Sequence, residues 1–316
     1  DAEGNIFLGT NGDGLMHFSM KSIFSPFKLI KLDNRSYYHG DAFYQDTSGI
    51  HIITGKTIHI LNTNGSIGSK VDLKSDVPSQ ITDMVHLAPY YALSSYEGIV
   101  LFDKQGNTVD RFTFQQDDPL SLVSNQVLAL EVFDGKLWAA SSKGLNEIDV
   151  NTGIVKGHLA GNYITDVFVS EKRLLVSSNS RVFAVDVASD EPVEIVFEGL
   201  DDKANLSISR LLEHKKNIWI GTKGNGIYKT VIKSKNVYVV SGLYKDQLSS
   251  AHITSMAIDE AGNIWAATTM GLNRIFPVQG RVLTFYQSDG LVSDVFDSRN
   301  VAYLGSNIVF NSRRGL

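Results

Sequence analysis

The three tryptophans of the chain stand at the same position of a phrase that recurs along the sequence. Trp138, Trp219 and Trp265 each follow a Leu or an Ile, and a Gly-Leu or Gly-Ile pair closes each phrase a few residues later. The apolar residues that close eight such phrases span seven periods of 43 residues, from Leu15 to Leu316. A tandem repeat of this length limits the possible folds more than any other feature of the sequence.

Five weaker copies of the phrase lack the tryptophan. At its position they carry Phe7, His51, Tyr91, Leu175 and Val309. The copies that end at Ile58 and Val182 also lack the closing glycine, and they depart furthest from the pattern.

A repeat of this period is typical of helical arrays or of four-stranded propeller blades. Runs such as 164–169 and 174–176 are rich in β-branched and aromatic residues, and Gly, Asn, Asp and Ser clusters bound them. No window keeps apolar residues at the spacing of a helix face. The sequence therefore predicts an all-β protein, a β-propeller of four-stranded antiparallel blades. Seven blades are expected, with eight repeat units visible and the terminal ones partial.

The residues around the tryptophans indicate where these strands lie. Ile218 and Ile220 flank Trp219, so that strand is apolar on both of its faces. A blade that another blade covers on each side requires such a strand. We therefore interpret Trp138, Trp219 and Trp265 as structural repeat residues that pack between blades, in preference to ligand-stacking residues.

The composition of the chain argues against several classes of binding partner and of chemical site. A formal net charge of −5 gives no reason to expect nucleic acid or an anionic membrane as a partner. The absence of cysteine excludes disulfides and thiolate metal sites. No apolar run approaches the length of a membrane span.

Several phrases resemble the two-component regulator propeller repeat. The resemblance rests on 259–265, on Asn217-Ile218-Trp219-Ile220-Gly221-Thr222, and on the connectors 117–127 and 285–291. It implies a non-enzymatic, periplasmic or otherwise extracytoplasmic sensor region of a bacterial hybrid histidine kinase or diguanylate cyclase. It also implies a homodimer formed through the full-length sensor, with membrane and output segments outside this chain.

The two ends of the chain occupy the same phase of the repeat. Residues 5–15 and 307–316 are equivalent parts of two units, so in a seven-bladed ring they would claim one place. We expect residues 1–316 to form a single propeller domain, excised from a longer sensor. Residues 1–30 either complete this ring or belong to a preceding propeller.

Ligands of propellers usually bind at the end of the channel that the inter-blade loops and middle-strand turns build, and we apply this by analogy. The loop 33–41 combines two tyrosines and a histidine with charges, a set that can stack on and hydrogen-bond a glycan fragment or small polar molecule. A solvated surface is the commoner role of such residues. The candidate ligand-binding residues are Tyr37, Tyr38, His39, Asn125, Lys143, Lys223, His252 and Arg313.

No motif predicts catalysis, a metal or a cofactor. His51 and His59 flank Gly55 symmetrically and are expected to be cross-strand neighbours, but two imidazoles with no nearby carboxylate make a poor zinc site. Two alternatives remain open. One is an enzyme resembling streptogramin lyase, which would need His39 and His252 together with a glutamate, and the other is a protein-interaction scaffold.

Overall fold

The computed structural model consists of short antiparallel strands in successive meander sheets. It describes residues 6–10, 14–18, 41–62, 66–170, 173–186, 191–200, 206–296, 301–304 and 306–312. Across these ranges no helix has the length and apolar character that crossing a membrane requires.

Within the described residues four sheets have four strands each, and a fifth has eight strands, which form two four-stranded meanders joined at one edge. We number the six four-stranded meanders sheets 1 to 6. In each of them the strands pair in chain order, and one hairpin precedes them and another follows them along the chain. The first hairpin is β1 (Ile6–Thr10) and β2 (Gly14–Phe18). Sheet 1 is β3 (Ala42–Asp46), β4 (Gly49–Thr54), β5 (Thr57–Leu61) and β6 (Ile67–Asp72). Sheet 2 is β7 (Ile81–Leu87), β8 (Tyr90–Ser95), β9 (Gly98–Phe102) and β10 (Thr108–Phe112). Sheet 3 is β11 (Val127–Phe133), β12 (Lys136–Ser141), β13 (Gly144–Asp149) and β14 (Ile154–His158).

The second half of the chain repeats this arrangement. Sheet 4 is β15 (Asp166–Ser170), β16 (Arg173–Ser178), β17 (Arg181–Asp186) and β18 (Val193–Glu198). Sheet 5 is β19 (Ile208–His214), β20 (Asn217–Thr222), β21 (Ile227–Ser234) and β22 (Val237–Tyr244). Sheet 6 is β23 (Ile253–Ile258), β24 (Ile264–Thr268), β25 (Gly271–Phe276) and β26 (Arg281–Phe285), followed by a short 3-10 helix (Gln287–Asp289) and the hairpin β27 (Val301–Leu304) and β28 (Asn307–Phe310).

The first strands of the sheets follow one another around a ring. Each first strand from β3 to β23 contacts the first strand of the next sheet, and β27 contacts both β23 and β3. A shared core cluster joins Phe43 and Ile52 of sheet 1 to Ala302 and Val309 of the last hairpin. The predicted all-β fold of four-stranded antiparallel sheets is confirmed. The number of blades stays a prediction, because only two strands of the last unit are described, and so does the place of residues 1–30.

The second strands of sheets 2 to 5 are covered on both faces. In β12 every residue from Leu137 to Ser141 is buried, and β8, β16 and β20 show the same pattern. Fourth strands such as β10 and β14 are largely exposed. This gradient follows from position, because the middle strands lie between neighbouring sheets and the fourth strands lie at the rim.

Antiparallel meanders divide the connections between two ends of the ring. We call one end the loop face: it carries the loops between successive sheets and the turns between second and third strands. Hydrogen bonds join these two kinds of segment, for example from the N–H of Ser142 to the carbonyl of Gln126 (3.0 Å) and from that of Lys223 to the carbonyl of Ser207 (2.8 Å). The opposite end, which carries the other two turns of each sheet, is the turn face.

One pair of sheets departs from the repeat. Strands β21 and β22 are each eight residues long, and β22 pairs in parallel with β18 of the preceding sheet, Val196 opposite Val237. Irregularities at Lys229/Thr230 and Ile232/Ser234 bend the long hairpin. The loop between sheets 5 and 6 therefore begins only after Tyr244.

Candidate functional site

The loop face concentrates exposed aromatic side chains. Five aromatic residues are exposed in the described part of the chain, and four of them, Tyr96, Phe114, Tyr163 and Tyr286, lie in loop-face segments. Leu120 and Met270 are exposed on the same face. Aromatic rings with one polar atom can stack on a ligand and hydrogen-bond it at the same time.

Two of the predicted ligand-binding residues come together on this face. Lys223 and His252 form an isolated antiparallel bridge between the middle turn of sheet 5 and the loop that enters sheet 6. Burial, together with the charge of Lys223, lowers the pKa of His252 below its ordinary value. His252 is therefore held mainly neutral near pH 7, with the Lys223 ammonium exposed beside it.

Lys143 and Asn125 also lie on the loop face, at sheet 3, whereas Lys223 belongs to sheet 5. Lys143 is exposed in the middle turn of sheet 3, and its carbonyl accepts a hydrogen bond from the N–H of Gly161 (2.8 Å). The side-chain oxygen of Asn125 accepts a hydrogen bond from the N–H of Phe114 (2.6 Å). Asn125 thus fixes the connector that presents Phe114, which gives it a structural task on the loop face.

The remaining predicted ligand-binding residues, Tyr37, Tyr38, His39 and Arg313, lie outside the described residues. The arrangement of His39 beside His252 that an enzyme resembling streptogramin lyase would need is outside them as well.

The tryptophans lie between sheets. Trp138 packs in a core cluster that sheets 3 and 4 share, and Trp219 packs in one that sheets 5 and 6 share. Trp265 is partly buried against the cluster between sheet 6 and the last hairpin. Each ring stacks on an aromatic residue of the fourth strand of its own sheet: His158, Tyr244 and Phe285.

A second group of polar residues lies on the turn face, between sheets 1 and 2. The carboxylate of Asp46, at the end of β3, has one oxygen 2.5 Å from Nδ1 of His86 and the other 3.2 Å from Nε2 of His51. The hydroxyl of Tyr91 lies 3.2 Å from Nδ1 of His51, and its ring stacks on that of His86. We call Asp46, His51 and His86 the turn-face triad.

The triad corrects two expectations about His51. In the β4–β5 hairpin His51 pairs with Ile60 and His59 pairs with Ile52, so the two histidines point to opposite faces of the sheet. The prediction that they are cross-strand neighbours was wrong by one residue of register. The expectation that no carboxylate lies near His51 was also wrong, because the turn after β3 brings His51, in β4, back beside Asp46.

Burial and hydrogen bonding set the charge states in the triad. Burial raises the pKa of Asp46, but hydrogen bonds from Ser48 and His86 outweigh it, so the net pKa lies below its ordinary value. Burial lowers the pKa of His51 more than Asp46 raises it. Burial and the Asp46 charge raise the pKa of Tyr91 to about 12. At neutral pH Asp46 is therefore ionised, and His51 is mainly neutral beside a neutral phenol.

Sequence reasoning found only part of the triad, although one signal pointed to it. His51 stands at the tryptophan position of its repeat. The assignment of Tyr91 to that position was wrong by one residue, because the pairing of β8 with β9 places Ala92 there. Asp46 and His86 belong to no recurring phrase, and only the packing of sheet 1 on sheet 2 brings them to the other two.

A different polar cluster lies within sheet 3. Glu147 accepts hydrogen bonds from Lys136 and, at 2.8 Å, from Nε2 of His158. His158 is almost fully buried, where it stacks on Trp138. Burial raises the pKa of Glu147, but Lys136 and His158 outweigh it and bring the net pKa below its ordinary value.

Residues 247–270, which contain Trp265, match the profile of a family described as the two component regulator propeller. The resemblance predicted from the tryptophan phrases is thereby confirmed. No curated protein sequence matches the chain.

Solved structures share the fold of these repeats over most of the chain. An extracellular domain from B. thetaiotaomicron, BT4673, named as part of a one component or a hybrid two component system, has a TM-score of 0.68 at 17% identity, covering 92% of this chain and 39% of its own. PorZ, a surface component of the type-IX secretion system of Porphyromonas gingivalis, has a TM-score of 0.54 at 10% identity, covering 87% and 38%. The computationally designed protein Ika8 has a TM-score of 0.59 at 14% identity, covering 91% and 97%.

These similarities concern the fold alone, because the identities are low. The chain also spans only about two fifths of the length of the two natural proteins, 39% and 38%. The functions of these longer proteins therefore do not transfer to this chain as findings.

Proposed function

We propose that the chain is the non-enzymatic, extracytoplasmic sensing part of a bacterial two-component or diguanylate cyclase signalling protein. We further propose that it recognises a glycan fragment or another small polar molecule on its loop face. The observation that carries this proposal is the concentration of exposed aromatic side chains, Tyr96, Phe114, Tyr163 and Tyr286, at that face. The two component regulator propeller repeat at 247–270 supports the signalling context.

The chemistry of the loop face suits a polyhydroxylated ligand. Tyrosine rings provide flat apolar surfaces for the C–H faces of a sugar, and their hydroxyls hydrogen-bond its edges. Lys223 and the mainly neutral His252 add one cationic donor and one group that can both donate and accept. Small-molecule sites combine apolar surface with a few polar groups in this way.

Signalling requires that the ligand prefer one of two arrangements of the sensor. A ligand shifts such an equilibrium only by the difference between its affinities for the two states. We propose that the two states are two orientations of the propellers in a homodimer of the full-length protein, which the membrane segments outside this chain would transmit.

A thermal-shift screen of this chain against oligosaccharides and small polar acids tests the recognition step. We expect one ligand class to raise the melting temperature, and we expect Tyr163→Ala and Lys223→Ala each to reduce that shift. Val278→Ala is the matched control, because Val278 is 93% exposed and lies in a turn-face connection of sheet 6. It should leave the ligand-induced shift unchanged.

Two outcomes would count against this proposal. If no compound binds at millimolar concentration, the sensor claim fails for this propeller, and the exposed apolar side chains of the loop face favour a protein-interaction scaffold. If Val278→Ala reduces the shift as much as Tyr163→Ala does, the ligand does not bind at the loop face.

A further inference from the structure

We propose that the turn-face triad, Asp46, His51 and His86, binds a divalent transition-metal ion of the zinc class between sheets 1 and 2. This site lies at the opposite end of the ring from the loop face, and it is independent of the proposed sensing function.

The donor atoms of the three residues lie about as close together as the ligands of a metal ion do. One donor atom from each of the three residues lies within 4.8 Å of the other two. Zinc bonds of about 2.0–2.2 Å place tetrahedral ligand atoms about 3.4 Å apart. The 3.2 Å between Asp46 Oδ1 and His51 Nε2 is close to that value, and the 2.5 Å between Asp46 Oδ2 and His86 Nδ1 needs to lengthen by about an ångström.

The neighbours of the triad orient its ligands. Nε2 of His51 lies 2.9 Å from the Ser48 hydroxyl and 3.2 Å from Asp46 Oδ1. With a metal ion on Nε2, the proton of that imidazole would reside on Nδ1, where the Tyr91 oxygen, 3.2 Å away, can accept its hydrogen bond. Ser48 donates to Asp46 Oδ1 through both its N–H (2.7 Å) and its hydroxyl (2.6 Å). A group that fixes the far nitrogen of a histidine, and another that holds the carboxylate, are the usual supports of metal ligands.

The repeat itself indicates that this place has another task. At the tryptophan position, sheets 3, 5 and 6 carry a ring stacked on an aromatic residue of the fourth strand. Sheet 1 carries His51 there, and His51 meets Tyr91 of sheet 2, which stands where sheet 3 has Leu137, across the sheet interface with ring centroids 5.5 Å apart. Sheet 1 thus has a nitrogen donor where sheets 3, 5 and 6 have a tryptophan, and the neighbouring sheet supplies a hydroxyl that can orient it.

The donor set selects the class of ion. Two imidazoles and one carboxylate suit zinc and its neighbours in the first transition row, whereas magnesium and calcium prefer a shell of oxygen atoms. His51 is 1% exposed, while the side chains of Asp46 and His86 are 21% and 16% exposed, so the site opens to solvent on one side. Three protein ligands leave a fourth position at that opening for water or for an exchangeable group.

Such an ion would tie two sheets together. Asp46 and His51 belong to β3, β4 and their turn in sheet 1, and His86 belongs to β7 in sheet 2. Bound metal therefore links neighbouring units at their inner strands, and binding to the folded state alone raises stability in proportion to the logarithm of the free ion concentration.

Isothermal titration of tag-free protein with zinc chloride tests this site. We expect one zinc ion per chain, a rise in melting temperature on adding zinc, and no comparable effect of magnesium or calcium. Asp46→Asn and His86→Gln should each weaken zinc binding at least about tenfold. His158→Gln is the matched control, because it removes an equally buried histidine–carboxylate contact in sheet 3 and should leave the zinc affinity unchanged.

Cobalt substitution keeps the test decisive if a variant loses stability. Cobalt bound by the triad should give the visible absorption bands of a tetrahedral nitrogen and oxygen site, and zinc should displace them. The proposal is overturned if wild-type protein binds no zinc, or if His86→Gln, folded by circular dichroism, binds zinc as tightly as wild type. Neither result depends on whether a ligand binds the loop face.

Discussion

The turn-face triad and the Lys136–Glu147–His158 cluster each place a carboxylate between two basic side chains. They differ in whether the second basic side chain can donate a lone pair to a metal ion. In sheet 3 the second basic group is an ammonium from the same sheet, and it closes an ion pair with Glu147. In the triad the second group is an imidazole from the neighbouring sheet. A lysine ammonium has no lone pair to offer a metal, whereas a neutral imidazole has one. One substitution of a basic residue thus separates a structural ion pair from a donor set.

The histidines of the two clusters also differ in what they pack against. His158 stacks on Trp138, with ring centroids 5.5 Å apart, inside a sheet that keeps the repeat. His51 itself stands at the tryptophan position and contacts Tyr91 of the next sheet. The repeated positions therefore supply the apolar packing between sheets. The polar side chains of the triad stand at positions that depart from the repeat.

The largest expected effect is the loss of stability on substituting Trp138 in sheet 3. Trp138→Ala removes a buried ring from the cluster shared by sheets 3 and 4 and leaves His158 without its stacking partner. We expect a loss of about 3–5 kcal/mol in the free energy of unfolding, measured by denaturant titration. A loss below about 1 kcal/mol would contradict the packing role of this tryptophan.

The second prediction converts the triad into the other cluster. His86→Lys keeps a basic partner for Asp46 but replaces a lone pair by an ammonium, so we expect zinc affinity to fall about a hundredfold, or about 2.7 kcal/mol. Titration calorimetry measures the affinity, and thermal melting without zinc checks that the fold is retained. Undiminished zinc binding would show that His86 is not a ligand.

The third prediction removes the carboxylate of sheet 3. Glu147→Gln leaves Lys136 and the buried His158 without their anion, and we expect a loss of about 1–3 kcal/mol in the free energy of unfolding at pH 7. Because the folded pKa of Glu147 is lowered, its contribution is present above its ordinary pKa of 4.5 and is lost as pH falls through the folded pKa. The difference between wild type and variant should therefore shrink in acid, and a constant difference from pH 7 to acid would refute this explanation.

The smallest effect concerns the orienting hydroxyl. Tyr91→Phe keeps the ring that stacks on His86 but removes the oxygen beside Nδ1 of His51. We expect zinc affinity to fall about tenfold, with the one-to-one stoichiometry kept. Tyr96→Phe, an exposed loop-face substitution of the same kind, is the control and should change neither quantity.

The repeat made much of the fold predictable from sequence. The tryptophans in register revealed the period, and the strand pattern predicted the four-stranded sheets. The glycines that close the tryptophan phrases of sheets 3 and 6, Gly144 and Gly271, begin the third strands of these sheets. The repeat could not predict the parallel pairing of β22 with β18, because that contact depends on the irregular length of one hairpin.

The candidate sites were less predictable for a physical reason. Lys223 and His252 share a face because loop-face segments follow from strand order, and this can be read from the sequence. Asp46, His51 and His86 meet only because one residue of register turns His51 toward sheet 2, and because two sheets pack at a specific distance. Symmetry about Gly55 suggested the wrong register, since the β4–β5 turn is centred between Gly55 and Lys56.

The most direct test of the division between repeated and departing positions is an anomalous-difference map at the zinc edge from crystals of zinc-loaded protein. We expect one strong peak bonded to Asp46, His51 and His86, and none at Glu147 and His158. A peak at the sheet 3 cluster, or no peak at the triad in protein that carries one zinc ion per chain, would contradict the account.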